Sequence, residues 1–341
     1  MKSEVLSHLR RCNSLLRSRS WCNYLDFLRK LLSSTQHPLS EQLLELLQQE
    51  KYTEMVLLAD SISSTVFRTS AEHLLMNQLS AVIRKYPFPK GSVSFDPRKT
   101  ALETFLRSER SCARINRKFR LFSTLRSPHE DALSRARSWI SYVLGELNLS
   151  EIWDLCDFGA GASIGVHGNA TNAARKLLSA RWTVSPGAFY YGYASLQQDN
   201  LIWELLNKRN PDCPLYSHDP SLFFTRYREK ASIVNYNKIS FVPKTVKTER
   251  TIAVEPLVNG YVQKGVDLFM RSRLKRVGID LSDQTRNQEL ARQGSLPSES
   301  DPYVTIDLSS ASDSISIELC RYLLPPEWFD LLNSLRSTSY R

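Results

Sequence analysis

Between Tyr303 and Leu324 the residue order leaves the chain little freedom. Tyr303-Val304-Thr305-Ile306 favours an extended backbone and delivers Asp307, and Leu308-Ser309-Ser310-Ala311-Ser312 is a small-residue turn. A second carboxylate, Asp313, stands six positions after the first, and an apolar helical pattern begins at Ile315. A strand over 303–308 that ends in a carboxylate is a rigid mount for a divalent cation. Magnesium takes hard oxygen ligands, commonly one or two carboxylates together with substrate phosphates. An Asp at the end of a strand that reads as buried needs a partner or a metal. A plainer use exists for the second carboxylate: Asp313 or Ser314 can serve as N-cap of the helix that follows, which Pro325-Pro326 closes. The residues by themselves leave both readings open.

A second feature lies upstream. Ile239-Ser240-Phe241-Val242-Pro243 and Arg250-Thr251-Ile252-Ala253-Val254-Glu255-Pro256 read as two short strands, with Pro243 and Pro256 suited to an edge or a strand end. The pattern predicts a β-hairpin over 239–256 with Lys244, Lys247 and Arg250 at three-residue intervals near its tip. Lys is a mobile point charge and Arg a planar fork of donors, so three cations on one projection suit a triphosphate. They equally suit a solvated loop whose charges protect an edge strand.

Much of the remainder reads as helix. Apolar residues at three- and four-residue spacing mark 21–32 and 39–47, the second preceded by Ser40 as a candidate cap. Pro87-Phe88-Pro89-Lys90-Gly91 breaks the pattern, which resumes over about 99–122 and 128–148 with a break near Ser127-Pro128. Arg107, Arg110, Arg114 and Arg117, with Lys118 and Arg120 beside them, form one basic helical face. It is either a solvated face or the wall of an RNA channel. A further helix over about 257–276 ends in a basic cluster before Gly278, where cations favour the helix dipole. Asp283-Gln284-Thr285-Arg286-Asn287-Gln288 can hold a template strand or simply a loop.

The excess of 45 Lys+Arg over 35 Asp+Glu, a net charge of +10, favours nucleic acid or an anionic membrane surface as partner. No apolar run reaches the roughly 20 residues needed to cross a bilayer. The early cations Lys2, Arg10 and Arg11 lack the apolar stretch of a secretory signal. Cys12, Cys22, Cys112, Cys156, Cys213 and Cys320 are scattered without zinc spacing, which fits a reducing compartment. Phe158-Gly159-Ala160-Gly161-Ala162-Ser163-Ile164-Gly165 is one residue too long for a dinucleotide fingerprint and lacks the Gly-Lys-Ser/Thr of a P-loop. It reads as a tight loop with close backbone packing.

The run Val304–Ser316, with Leu323-Leu324-Pro325-Pro326-Glu327-Trp328-Phe329, resembles the first palm motif of the replicase β subunits of the small bacterial RNA phages, the leviviruses. The hairpin Val242–Pro256 resembles the basic finger motif of that family of RNA-directed RNA polymerases, and Gly278–Gln288 and, more loosely, Ala101–Leu106 are similar as well. The likeness is strong over about 239–336, moderate over 99–165 and faint before that.

The resemblance implies an α+β right-hand polymerase: a helical region over 1–90, fingers over 91–300 and the first strand and helix of an incomplete palm over 301–341. Asp307 and Asp313 would be catalytic. Asp307, with the Leu308 carbonyl, would bind magnesium, one of two ions, and Asp313 would read the ribose 2′-hydroxyl. Lys244, Lys247 and Arg250 would line the triphosphate path. Template RNA, nucleoside triphosphates, host elongation factors Tu and Ts and a host ribosomal RNA-binding protein would be the partners, in the cytoplasm of an infected bacterium. The family's palm continues with a Ser-Gly motif and a Gly-Asp-Asp hairpin, and no Gly-Asp-Asp occurs in this sequence. The chain alone is therefore expected not to polymerise RNA, as a portion of a longer polypeptide or as one piece completed by a second. A non-enzymatic RNA-binding module is the alternative.

Overall fold

The structure, a computed structural model, describes residues 19–121, 129–168, 172–207, 219–296, 303–304 and 306–341. The chain forms two compact units, Met1–Thr104 with Phe241–Thr251, and Phe105–Ser240 with Ile252–Arg341. The architecture is mixed α and β and mostly helical, as the sequence predicts. The cations Lys2, Arg10 and Arg11, the cysteines Cys12 and Cys213 and the break at Ser127-Pro128 lie outside the described residues, and the four described cysteines are free thiols. No helix among the described residues is long and apolar enough to cross a membrane.

The smaller unit is built on α1 (19–34), α2 (Pro38–Gln48), α3 (Tyr52–Ser61) and α4 (Ser70–Lys85); α5 (Pro97–Leu121) starts at the end of its first segment and from Phe105 on belongs to the larger unit. Leu28, Leu32, Leu43, Leu47, Met55, Val56, Met76 and Ile83 close its core. Tyr24 stacks on Tyr86 with ring centroids 3.5 Å apart. The cap of α2 is His37 rather than Ser40: with Pro38 at the first helical position, the helix starts earlier than the apolar run suggests. His37 Nδ1 accepts from the Leu39 N–H, and its Nε2–H donates to Glu72 at 2.9 Å. Ser40 is buried and donates to the His37 carbonyl instead.

The larger unit holds α6 (Glu130–Leu144), α7 (Leu149–Asp154), α8 (Ala173–Leu177), α9 (Phe189–Leu196), α10 (Asn200–Asn207), α11 (Pro220–Lys230), α12 (Leu257–Arg276), α13 (Thr285–Gly294), α14 (Ile317–Leu323) and α15 (Pro326–Leu335). Its centre is α12, which buries Leu257, Val258, Tyr261, Val262, Val266 and Phe269 against Ile152, Trp182, Tyr227 and Trp328. Gly265 permits the close approach of α7, since a Cβ there would stand 2.6 Å from the Ile152 carbonyl oxygen. At its end Gly278 turns with φ 81°, and Lys275 pairs with Asp280 at 2.8 Å. The tail of α12 thus ends at the residues predicted.

Two small sheets complete the structure. In one, β1 (Trp182–Val184) runs parallel to β2 (Ala231–Ile233) with Trp182 opposite Ala231. The other has the order β4-β3-β5, where β3 (Tyr236–Pro243) and β4 (Glu249–Val254) are the predicted hairpin and β5 (Ser339–Tyr340) lies parallel to β3. The predicted strand over 303–308 does not form: Tyr303, Val304 and Ile306–Leu308 are irregular and Thr305 lies outside the described residues. Its β-branched residues satisfy only the local half of the requirement, because a strand also needs a paired neighbour. Tyr303, Val304, Ile306 and Leu308 are all exposed.

Candidate functional site

The two carboxylates lie on one loop of the larger unit. Asp307 and Asp313 are both exposed, which corrects the expectation of a buried Asp307. Between them Ser310 adopts φ 51°, a left-handed conformation that costs a side-chain-bearing residue about 1–2 kcal/mol. Strain of this kind tends to gather at functional loops. Ser312–Ser314 make a short 3₁₀ turn, and the cap of α14 is neither Asp313 nor Ser314 but the buried Ser316, whose hydroxyl accepts from the Leu319 N–H. Three residues of separate turn intervene before α14 can start, so Asp313 is released from the structural duty proposed for it.

A helix face holds this loop. On α5, the Cys112 thiol donates to the Asp313 carbonyl at 3.3 Å, Asn116 Oδ1 accepts from the Glu318 N–H at 3.0 Å, and the Phe119 ring lies 5.9 Å from that of Tyr322. Glu318 in turn accepts from Arg120 at 3.0 Å and from Arg321 at 3.1 Å. Burial pushes the Cys112 thiol up in pKa, with Glu109 and Asp313 adding to the effect, and so keeps it a donor. Positions 112, 116 and 119 follow helical spacing on the side of α5 away from Arg107, Arg110, Arg114 and Arg117. Those four arginines and Lys118 are exposed. One helix therefore positions the carboxylate loop with one face and shows cations on the other. The spacing of Cys112, Asn116 and Phe119 is legible in the sequence, but those residue types carry no charge or motif that marks them as a docking face.

The hairpin tip is a different structure from the free projection that its composition suggests. Val246 is buried in the core of the smaller unit, and its N–H donates to the Arg84 carbonyl at 2.8 Å. Lys247 Nζ donates to Asp60 Oδ2 at 2.7 Å, and Arg84 donates to Asp60 Oδ1 at 3.1 Å. Of the three predicted triphosphate ligands, Lys244 and Arg250 are exposed and Lys247 is committed to a carboxylate.

The Lys247 ammonium holds the Asp60 carboxyl below its usual range, against the opposing effect of burial and with help from Arg84. A depressed folded-state pKa adds stability above the unfolded value and loses it as pH falls through the folded one. Both side chains of the pair are 36% exposed, so solvent screening limits the contribution to about 1 kcal/mol. Asp60→Asn is expected to destabilise the protein by that amount at pH 7. Urea denaturation followed from pH 7 downward should show the gap from the parent closing below about pH 4. A gap that persists in acid would mean the pair contributes nothing through its charge.

The glycine-rich segment is a loop, but the close packing expected of its glycines holds only at Gly165, where φ is 84° and a Cβ would stand 3.3 Å from the Thr183 side chain; a Cβ at Gly159 or Gly161 would meet nothing within 4 Å. The Gly159 and Gly161 carbonyls accept from the buried Lys176 ammonium, and the Ile164 N–H donates to the Glu255 carbonyl at 3.0 Å. Burial pushes the Lys176 pKa down, opposed by Asp157. Glu255 also accepts from Asn237 at 3.1 Å and from Ser337 at 2.7 Å, tying the ends of β3 and β4 to the approach of β5. In the 283–288 segment Asp283 accepts from the Thr285 N–H and hydroxyl, an inward-looking turn, while Arg286 and Gln288 are exposed.

Magnesium takes hard carboxylate oxygens, and Asp307 and Asp313 supply such oxygens on a loop where neither forms an ion pair with another described residue. Among the described residues no cluster of three or more side chains that could hold a metal ion exists. The family model described as RNA replicase, beta-chain matches residues 33–340. The chain belongs to the RNA replicase beta-chain family. The replicase match also takes in most of the N-terminal helices, where motif likeness was faint. An RNA-directed RNA polymerase beta chain of Enterobacteria phage fr is 37% identical over 241 residues, 70% of this chain and 40% of that protein. The polymerase beta chain of Escherichia phage MS2 is 38% identical over 226 residues, 65% of this chain and 37% of that protein. The polymerase subunit beta of Escherichia virus Qbeta is 49% identical over 111 residues, 33% of this chain and 18% of its own. The chain spans about two-fifths of the length of the relatives it matches most broadly.

Proposed function

We propose that this replicase chain is the fingers and the beginning of the palm of an RNA-directed RNA polymerase that copies phage RNA. The observation that carries the reading is a loop bearing two exposed carboxylates, Asp307 and Asp313, held by one face of α5, whose other face is a row of exposed arginines. Asp307, with the Leu308 carbonyl, would hold magnesium, and Asp313 would meet the ribose of the incoming nucleotide. Bound there with a second ion held by residues beyond this chain, magnesium would activate the primer 3′-hydroxyl and stabilise the leaving pyrophosphate. The chain's own contribution is positioning. Lys244 and Arg250 would guide the triphosphate, and Lys247 would hold the hairpin in place rather than touch it. Arg107, Arg110, Arg114, Arg117 and Lys118 would neutralise template phosphates without reading sequence. Host elongation factors Tu and Ts and a ribosomal RNA-binding protein are the partners we propose, in the cytoplasm of the infected bacterium.

The test is magnesium-dependent incorporation of labelled nucleoside triphosphates on a phage RNA template by the complete protein that carries this chain. Incorporation that stops on chelation supports the polymerase, whereas RNA binding without incorporation would leave an RNA-binding module. Replacing Arg107, Arg110, Arg114 and Arg117 together with Gln is expected to weaken template binding uniformly across sequences. The slope of log affinity against log salt should fall by about 0.7 for each phosphate of a single strand that is no longer neutralised. An unchanged slope would return those arginines to the role of a solvated face.

A further inference from the structure

On the larger unit, away from the carboxylate loop in sequence, a cavity of about 510 Å³ is lined by Gly165, Val166, His167, Arg175, Leu178, Ser179, Ala180 and Arg181. Its size falls within the range of ligand pockets. Its lining contains two guanidinium groups and an imidazole, and no carboxylate. Cavity walls of one charge sign focus the field and raise the local concentration of counter-ions.

Both arginines are exposed and each touches one backbone carbonyl. Arg181 donates through one Nη to the Glu229 carbonyl at 3.0 Å, and Arg175 lies 3.5 Å from the His167 carbonyl. Arg175 rests against Gly168, where a Cβ would stand 2.0 Å from its Nη1, and Gly168 has φ 78°. That glycine leaves the space the guanidinium occupies. The neighbouring Lys176 is pinned beneath the same helix by the Gly159 and Gly161 carbonyls, and Ser179 is fastened to the Lys176 carbonyl at 2.8 Å. A guanidinium has five N–H donors, so a single carbonyl contact orients each arginine and leaves donors for a ligand. Val166, Leu178 and Ala180 add an apolar surface beside the cations.

We propose that this pocket binds a phosphate carried on a nucleoside, with Arg175 and Arg181 on the phosphate oxygens and the sugar and base against Val166, Leu178 and Ala180. Paired guanidiniums suit the phosphate geometry, and pre-oriented side chains lose little freedom on binding. The occupant we assign is one nucleotide of a single-stranded RNA, a contact outside the proposed catalytic loop that grips template or product. Assigning RNA rests on the polymerase reading; assigning phosphate does not.

The experiment measures binding of a labelled 12-residue oligoribonucleotide, and separately of labelled ATP, to the complete protein. It compares the parent with Arg175→Gln/Arg181→Gln and with Leu178→Glu. Leu178 is 59% exposed, so the Glu variant adds a repelling charge at the rim without disturbing the core. RNA affinity is expected to fall about tenfold in both variants, and the salt slope by about 0.7 in the double arginine variant, as for one single-strand phosphate left without its cations. Unchanged affinity for RNA and for ATP alike in both variants would overturn the site. Lost ATP binding with RNA binding intact would overturn the assignment to RNA and make the ligand a free nucleotide. If the parent binds RNA through these residues yet incorporates no nucleotide on a phage RNA template, the polymerase reading fails and the pocket stands.

Discussion

Asp307→Asn is expected to cut magnesium-dependent incorporation by the complete polymerase about a thousandfold and to leave its melting temperature unchanged. A bound metal is worth several kcal/mol to a transition state, and roughly 4 kcal/mol corresponds to three decades at 1.36 kcal/mol each. The amide has nearly the shape of the carboxylate but not its charge, so in the proposed role it would lose the metal and little else. The fold should not notice. Asp307 is exposed and makes no hydrogen bond or ion pair with another described residue, and surface changes of this kind stay within about 0.5 kcal/mol. That separation gives the experiment its force: activity and stability are read on the same preparation. Full incorporation by the Asn variant, or a loss of activity that merely tracks a loss of folded protein, would take Asp307 out of the site.

The second large effect is on stability. Trp328 is completely buried at the start of α15, its indole N–H donates to the Gly145 carbonyl at 3.0 Å, and its ring centroid lies 5.6 Å from that of Phe269. Trp328→Ala should cost about 3–5 kcal/mol through the lost burial and the cavity left behind. In a unit of this size that is a fall in melting temperature of roughly 10 °C. Trp328→Phe keeps most of the packing and loses the hydrogen bond, with an expected cost of about 1 kcal/mol. The pair of variants, followed by urea or thermal unfolding, separates packing from hydrogen bonding. A loss below about 1 kcal/mol for the Ala variant would mean that Trp328 does not anchor α15.

The hairpin, α12 and most long helices were readable from the chain because their signals are local: period, proline, glycine and the charge at a helix end. The misses share a cause in partners distant in sequence. Residues 303–308 have strand-favouring side chains, yet pairing depends on a neighbour, and none of the described strands lies beside them. β1 and β2 have three residues each, too few to show a period, and exist because Trp182 meets Ala231. Lys247 looked like a phosphate ligand because its partner Asp60 is 187 positions away. For the candidate site, the residue types on the carboxylate loop were legible. The α5 face that holds the loop, through Cys112 and Asn116, was hidden in plain helical spacing.

The docking of Val246 and Lys247 among the N-terminal helices also sets an order of events on the ribosome. The smaller unit takes its last strip, Phe241–Thr251, from far down the chain, so its helices emerge with the Val246 slot open and Asp60 lacking its lysine. At about 5–20 residues per second the intervening stretch takes on the order of ten seconds to synthesise. Through that interval the nascent helices expose a gap in their core, and a protease or chaperone can compete for it. Completion of the unit reports that translation has passed the hairpin.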